Sequence, residues 1–301
     1  MALSYPIDQG PCCPACVCKE SHSRGVWDSP EGRYELYECT RCRLHYSWPM
    51  RPGSAEYYAE YYGGCGFYEA REISRLQSLK KILKWDWRIR EFHELGLPKG
   101  ALLDVGCGLG EMVRAATLLG YKAFGVDMDE KAIAVAKRVG IPNVAVGKAE
   151  DCKEGSFQII TCLDVLEHLQ DPVGVLGSFA TCLAPDGKVV ISLPVWDHGP
   201  FLYCRRRDNP PHHLTVWTET AIMALAERAG YVVLRMIRKP YGGDDFIVRC
   251  RFEWAWINRQ IFPVKVLRRL LLLGFVAFAT MLRVSLRCKG SSILALLGLQ
   301  R

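Results

Sequence analysis

The sequence predicts an α/β protein built on a doubly wound parallel sheet. From Ala101 onward, short apolar segments of strand length alternate with segments of helix length, a pattern typical of a parallel sheet covered by helices on both faces. Before this region, apolar residues recur at three- and four-residue spacing and predict a helix over residues 71–95. The predicted strands are 101–105, 122–126, 143–146, 157–162, 188–193 and 231–237, and the predicted helices are 111–119, 130–139, 172–183 and 218–229.

Three alternating glycines, Gly106, Gly108 and Gly110, follow the first predicted strand. Glycines in this arrangement let the backbone take positive φ and let a ligand approach the main chain closely. A dinucleotide-binding turn has its third glycine where this chain has Glu111, whose carboxylate would repel a phosphate. The turn therefore favours an adenosyl ligand without phosphate and with a cationic centre, such as S-adenosylmethionine. Asp127, at the end of the next strand, would accept hydrogen bonds from the ribose hydroxyls.

Five motifs in this order resemble the class I S-adenosylmethionine-dependent methyltransferases, in particular a large bacterial group. The motifs are LDVGCGLG at 103–110, GVD at 125–127, FQIITCLDVLEHLQDP at 157–172, APDGKVVISLP at 184–194 and HHLTVWTETAIMALAERAGY at 212–231. The resemblance covers residues 98–240 and implies a Rossmann-like sheet of seven strands. It also implies that residues 292–299 form the family's final strand, antiparallel to the others.

The resemblance implies a set of cofactor-binding positions along the predicted sheet edge. Asp104 is expected to order the turn, and Lys148 stands where the family often has an acid, so Glu150 or Asp151 would take over at the adenine edge. The expected cofactor-binding residues are Asp104, Gly106, Gly108 and Gly110 for the methionine end, Asp127 for the ribose, Met128, Ala149 and Glu150 near the adenine, and Leu163 and Asp164 facing the methyl group.

Three histidines are candidates for proton removal from the acceptor. His168 follows the fourth strand and is either a general base or a residue held structurally at a helix start. His212 and His213 lie in a loop that we expect to cover the cleft, and one of them is the preferred base. No residue specifies which atom of the acceptor is methylated.

Two Cys-x-x-Cys pairs near the start of the chain are typical of a structural zinc ribbon. Cys13 and Cys16 form the first pair, and Cys39 and Cys42 form the second. A module this small has too little core to fold without such a metal, and four thiolates leave no open position for catalysis. Two alternatives are left open: Cys12 or Cys18 could replace one of these cysteines as a ligand, or His22 or His45 could be a ligand.

These features divide the chain into a zinc-ribbon-like module over 1–50, a helical linker and cap over 51–97, and a methyltransferase domain over 98–301. The tyrosine-rich stretch of the linker is expected either to cover the cleft or simply to pack a helix on the domain. A basic amphipathic insertion is predicted at 251–289, before the last strand.

The positive charge of the chain is concentrated at its end. The formal net charge is +7, and residues 251–301 carry nine Lys or Arg and one acid, so the rest is almost neutral and a chain-wide nucleic-acid surface is not predicted. Within 263–289 the uncharged stretch is 13 residues, too short to span a bilayer. The segment is expected to pack on the domain or a second subunit, or to contact lipid headgroups.

The sequence predicts a cytoplasmic enzyme, because residues 1–10 lack an export signal and the 14 cysteines do not resemble a secreted disulfide framework. The preferred function is methyl transfer to an oxygen or carbon of a small-molecule, sugar or lipid-linked acceptor. Two alternatives remain: a zinc-ribbon RNA-binding methyltransferase, and a non-catalytic binding domain.

Overall fold

Alternating strands and helices make up most of the computed structural model, which describes residues 10–64, 78–148, 154–195, 209–239 and 292–300. Seven strands form the larger sheet. They are β4 (Ala101–Val105), β5 (Lys122–Asp127), β6 (Val144–Val146), β7 (Phe157–Leu163), β8 (Leu183–Pro194), β10 (Tyr231–Arg238) and β11 (Ser292–Leu299).

The strand order of this sheet is β10-β11-β8-β7-β4-β5-β6. The pairs from β8 to β6 are parallel, and β11 runs antiparallel to both of its neighbours. The predicted doubly wound, seven-stranded fold is therefore confirmed, together with its antiparallel final strand. Strand order reverses between β4 and β7, and ligands of such sheets bind beyond the carboxyl ends of the strands at this switch point.

Helices cover the sheet and begin with side-chain caps at several positions. Asp129 and Asp171 accept hydrogen bonds from backbone N–H groups in the first turns of the helices that follow them. The helices are α1 (Ala55–Gly64), α2 (Leu79–Trp85), α3 (Trp87–Glu94), α4 (Glu111–Leu118), α5 (Glu130–Arg138), a 3₁₀ turn (Leu166–His168), α6 (Pro172–Cys182) and α7 (Glu219–Arg228).

The prediction of a single helix over residues 71–95 is wrong for the residues that the structure describes, because the helix is interrupted at Asp86. Asp86 has extended backbone angles, and its carboxylate accepts hydrogen bonds from the N–H groups of Arg88 and Ile89. This cap starts α3 in a new direction. An aspartate inside an otherwise apolar pattern is a recognised helix-start signal, so the break could have been predicted.

A second, antiparallel sheet of four strands forms around the four cysteines. Its order is β1-β2-β3-β9. The strands are β1 (Ser21–Ser29), β2 (Gly32–Cys39), β3 (His45–Trp48) and β9 (Thr215–Val216). We call the N-terminal region that contains the four cysteines and strands β1 to β3 the cysteine module. Strand β9 belongs to the second half of the chain, so the sheet of this module includes one strand from the predicted methyltransferase domain.

Side chains reinforce the contact between the cysteine module and the larger domain. The Thr218 hydroxyl caps α7 through the N–H of Ala221, at 3.1 Å, and also donates to the carbonyl of Cys42 at 2.7 Å. Arg228 donates to the carbonyl of Pro14 at 2.7 Å. Trp217 is completely buried in a core that includes residues of both parts. The two parts therefore share one hydrophobic core.

Several predicted features lie outside the described residues. They include Ala149, Glu150 and the insertion at 251–289 with its segment 263–289. Among the helices that the structure does describe, none combines the length and the apolar character needed to cross a bilayer.

Replacing Thr218 with Ala should destabilise the protein by about 1–2 kcal/mol, because one hydroxyl supplies both a helix cap and a hydrogen bond to the cysteine module. Urea unfolding measures the change. Thr218→Ser keeps the hydroxyl and is the matched control. Equal stability of the two variants would show that the hydroxyl contributes nothing.

Candidate functional site

The glycine turn lies at the carboxyl end of β4, at the switch point of the sheet. Gly106, Gly108 and Gly110 have φ values of 72°, 51° and 80°. The N–H groups of Gly106 and Cys107 both donate to the carbonyl of Val126, at 2.8 and 3.0 Å. These hydrogen bonds fix the turn against β5, and α4 begins directly after Gly110.

Gly106 is required by space as well as by backbone angle. A Cβ added there would lie 2.3 Å from Cγ2 of Val165, well inside van der Waals contact. Val165 follows β7, so the turns after β4 and β7 approach each other closely. A side chain at position 106 would separate them.

Asp127 ends β5 with its carboxylate directed at the glycine turn. Its Oδ2 accepts a hydrogen bond from the N–H of Gly108 at 2.7 Å, and its Oδ1 accepts one from the N–H of Asp129 at 2.8 Å. Burial raises the pKa of Asp127, although these two amides oppose the rise. A carboxylate has about four lone-pair sites, so capacity remains to accept the hydroxyls of a ribose. Met128, next in the chain, is 69% exposed.

Asp104 lies beneath the turn and faces the core of the sheet. The Thr161 hydroxyl donates to its Oδ1 at 2.6 Å, linking β4 to β7. Burial raises the pKa of Asp104 to about 7, although the Thr161 hydroxyl opposes the rise. Asp104 is only 3% exposed, and its role in ordering the turn stays a prediction.

An ion pair that the sequence did not predict holds the end of β7. Arg88 Nη1 lies 2.6 Å from Asp164 Oδ2, and Arg88 Nη2 lies 2.6 Å from Asp86 Oδ2. The Ser192 hydroxyl donates to the other Asp164 oxygen at 2.5 Å. Asp164 also has a positive φ of 55°. Arg88 is separated from Asp164 by 76 positions, and nothing local marked it as a site residue.

The three predicted histidines come together in one cluster, which we call the histidine cluster: His168, His212 and His213. The ring centroid of His168 lies 4.8 Å from those of both His212 and His213, and the latter two lie 4.9 Å apart. Nδ1 of His168 hydrogen-bonds to the carbonyl of His212. The sequence identified each residue singly but did not predict that they meet.

Backbone hydrogen bonds hold the loop that carries two of these histidines. The N–H groups of His212 and His213 donate to the carbonyl of Asn209, at 3.1 and 3.2 Å. The N–H of Leu214 donates to the carbonyl of Glu167 at 2.8 Å. The loop is therefore attached to the turn after β7 before it enters β9.

Tyrosines of α1 cover the histidine cluster. The rings of Tyr61 and His212 stack with centroids 4.1 Å apart, and the Tyr58 hydroxyl donates to the carbonyl of Pro211 at 3.0 Å. Burial raises the pKa of Tyr62, and the neighbouring Tyr58 raises it further. The helix therefore packs against His212 and the loop that carries it, and whether it covers the cleft stays a prediction.

Burial favours the neutral forms of two ionisable groups of this region, His168 and Glu167. It lowers the pKa of His168, although the hydrogen bond to His212 opposes the change. It raises the pKa of Glu167, and the nearby Asp164 carboxylate raises it further. A neutral imidazole retains one nitrogen lone pair and can accept a proton or bind a metal.

The four predicted zinc ligands also come together. Sγ atoms of Cys13 and Cys42 lie 3.5 Å apart, as do those of Cys16 and Cys39. All four Sγ atoms lie within 4.8 Å of one another and could hold a zinc ion. Cys18 instead lies 3.6 Å from the carbonyl of Glu20, and neither it nor Cys12, His22 or His45 belongs to this group.

The seven-stranded sheet and its glycine turn define the class I methyltransferases. Residues 80–235 match the family described as "Methyltransferase domain", and this match covers just over half of the chain. The protein belongs to this family.

Curated relatives match a shorter part of the chain. A ubiquinone biosynthesis O-methyltransferase of Idiomarina loihiensis is 34% identical over an alignment of 110 residues, which covers 34% of this chain and 45% of that protein. Another such enzyme, of Pseudomonas paraeruginosa, is 37% identical over an alignment of 105 residues, which covers 32% of this chain and 45% of that protein. The chain therefore spans less than half the length of these relatives.

Solved structures share the fold at low sequence identity. A phosphoethanolamine N-methyltransferase 2 of Haemonchus contortus, in complex with S-adenosyl-L-methionine, has a TM-score of 0.51 at 18% identity, over 72% of this chain and 53% of that one. A SAM-dependent methyltransferase of Archaeoglobus fulgidus has a TM-score of 0.51 at 15% identity, over 81% and 100%. These likenesses concern the fold alone.

Asp104→Asn should stabilise the unliganded protein more as the pH rises. The folded-state pKa of Asp104, about 7, lies above its unfolded value of about 3.9. The contribution of Asp104 to wild-type stability is therefore fully present at low pH and is lost as the pH rises through these two values. The amide does not titrate, so its advantage should grow by roughly 2 kcal/mol between about pH 5 and pH 8.

Urea unfolding across this pH range measures the difference between Asp104→Asn and the wild type. Asp28→Asn, at an exposed position, is the control and should follow the wild type. A constant difference between Asp104→Asn and the wild type would contradict the raised pKa.

Proposed function

We propose that this protein transfers a methyl group from S-adenosylmethionine to a small-molecule acceptor, at an oxygen or a carbon. The observation that carries the proposal is the Asp127 carboxylate, which is hydrogen-bonded to Gly108 inside the glycine turn at the switch point of the sheet. Membership of the methyltransferase family supports it.

The residues around the turn fit this cofactor. Asp127 has lone pairs left for the ribose, the exposed Met128 side chain is available to the adenine, and Glu111 at the start of α4 disfavours a phosphate. When bound, the cofactor supplies a methyl group on a positively charged sulfur. The proposed contacts at the methionine end are Gly106, Gly108 and Gly110 with Asp104 beneath them, those at the methyl group are Leu163 and Asp164, and those at the adenine edge are Ala149 and Glu150.

We propose that the acceptor lies beside the histidine cluster, beneath the tyrosines of α1. The curated relatives are named as O-methyltransferases of ubiquinone biosynthesis, which supports a hydroxyl group on a small molecule as the acceptor. Such a hydroxyl must lose its proton, and the proposed residues for this task are His168, His212 and His213. Sugar and lipid-linked acceptors fit the same chemistry.

We also propose a structural zinc ion in the cysteine module, with Cys13, Cys16, Cys39 and Cys42 as ligands. Four thiolates complete a tetrahedron and leave no position for substrate. The proposed division of the chain is then a zinc module over 1–50, a cap over 51–97 and the methyltransferase domain over 98–301. Strand β9 is the part of this domain that extends into the zinc module.

Asp127→Ala should weaken S-adenosylmethionine binding roughly 10- to 100-fold, because hydrogen bonds to a charged group contribute about 1.5–3 kcal/mol. Isothermal titration calorimetry measures the affinity. Asp28→Asn removes an exposed carboxylate far along the chain from the turn and should bind like the wild type. Wild-type protein that does not bind, or equal binding by Asp127→Ala, would remove the proposal.

We propose finally that the protein is cytoplasmic and that 263–289 contacts an anionic membrane surface through its basic residues. The pattern of positive side chains in the sequence supports this contact. Arg268→Glu combined with Arg269→Glu should reduce co-sedimentation with phosphatidylglycerol-containing vesicles. The control is Lys80→Glu combined with Lys137→Glu, both exposed. Equal sedimentation of the two double variants would contradict the contact.

A further inference from the structure

We propose that the histidine cluster binds a divalent transition metal, separately from the zinc of the cysteine module. Its three imidazoles come from two different loops, the turn after β7 and the loop before β9, and meet under the tyrosines of α1. The role of this metal in methyl transfer rests on the proposed function, whereas the existence of the site does not.

The spacing of the three side chains suits a metal. One ligand nitrogen from each histidine lies within 4.8 Å of the others. Nitrogens bound to zinc at 2.0–2.1 Å are separated by about 3.3 Å in a tetrahedron, so metal binding would draw the rings of His212 and His213 closer to that of His168. The four cysteines, whose sequence pattern is that of a zinc ribbon, satisfy the same 4.8 Å limit.

The protein fixes the ring of His168 as metal sites do. Metal-ligating histidines generally donate their second ring N–H to a carbonyl or carboxylate, which selects the tautomer and orients the ring. Nδ1 of His168 donates in this way to the carbonyl of His212, leaving Nε2 with its lone pair. The carbonyl of one proposed ligand therefore orients another.

Backbone hydrogen bonds fix the positions of His212 and His213, the other two proposed ligands. One acceptor, the carbonyl of Asn209, holds the N–H groups of both His212 and His213. The next residue, Leu214, is buried and hydrogen-bonded to Glu167, which directly precedes His168. The loop is thereby attached to the third ligand's own turn, and little ordering remains to oppose metal binding.

The ligand set specifies the class of metal. Three imidazoles suit Zn²⁺, Co²⁺, Ni²⁺ or Fe²⁺, whereas Mg²⁺ and Ca²⁺ prefer oxygen ligands. Three protein ligands leave one tetrahedral position open, as in catalytic zinc sites. An acceptor hydroxyl bound there would lose its proton to solvent more readily, because a metal lowers the pKa of a bound O–H group. The metal keeps its oxidation state. When it is bound, the histidines promote the loss of this proton as its ligands, whereas in the metal-free protein one of them would take up the proton directly.

Cobalt titration of the full chain, freed of metal by chelation and carrying no histidine tag, tests the site. The wild type should bind two equivalents of Co²⁺ by elemental analysis. One equivalent should show the intense thiolate charge-transfer absorption of the cysteine module. The other should show only the weaker visible bands of nitrogen ligation.

His168→Gln and His213→Ala should each bind one equivalent and keep the thiolate absorption. His168→Gln is the gentler variant, because an amide N–H can still donate to the carbonyl of His212. His93→Ala, at an exposed position of α3, is the matched control and should bind two.

A wild-type protein that binds one equivalent would overturn the proposal. So would two equivalents in both His168→Gln and His213→Ala. Calorimetry with S-adenosylmethionine on the same samples separates the two hypotheses, because a protein that binds two metals and no cofactor retains this site and loses the proposed function.

Discussion

The pairing of β3 with β9 is the interaction on which the arrangement of the site depends. Tyr46 pairs with Thr215 and His45 with Val216, and the N–H of Ser47 donates to the carbonyl of Leu214. These few hydrogen bonds hold the end of the loop that carries His212 and His213. The cysteine module is thus a structural support for the histidine cluster.

The glycine turn and Asp127 are held by hydrogen bonds within the seven-stranded sheet. Gly106 and Cys107 are tied to Val126, and Asp127 to Gly108. Arg88 joins α3 to the end of β7 through Asp164. Within the shared core, the histidines are therefore linked to the cysteine module more directly than the glycine turn is.

The sequence predicted the large sheet closely, because its central parallel strands β4, β7 and β8 are mostly buried and appear as apolar runs between turn signals. The strand 101–105 and the final strand 292–299 agree with the structure at both ends. The glycine turn could be predicted equally well, since its residues are close together in the sequence and chemically distinctive.

Contacts between residues that are far apart in the sequence were not predicted, and the reason is physical. Strand β9 is only two residues long, too short to leave a periodic pattern, and its partner lies far away in the chain. The pairing of Arg88 with Asp164 and the meeting of His168 with His212 likewise depend on how the folded elements pack. Local patterns contain no information about such encounters.

The shared core has a practical consequence for dissecting this protein. A shortened chain starting after the cysteine module would leave the edge of β9 unpaired and uncover Leu214 and Trp217, which are at most 1% exposed in the intact protein. We therefore expect the methyltransferase domain not to fold as an isolated fragment, and inactivity or aggregation of such a truncation would indicate damage to its own core.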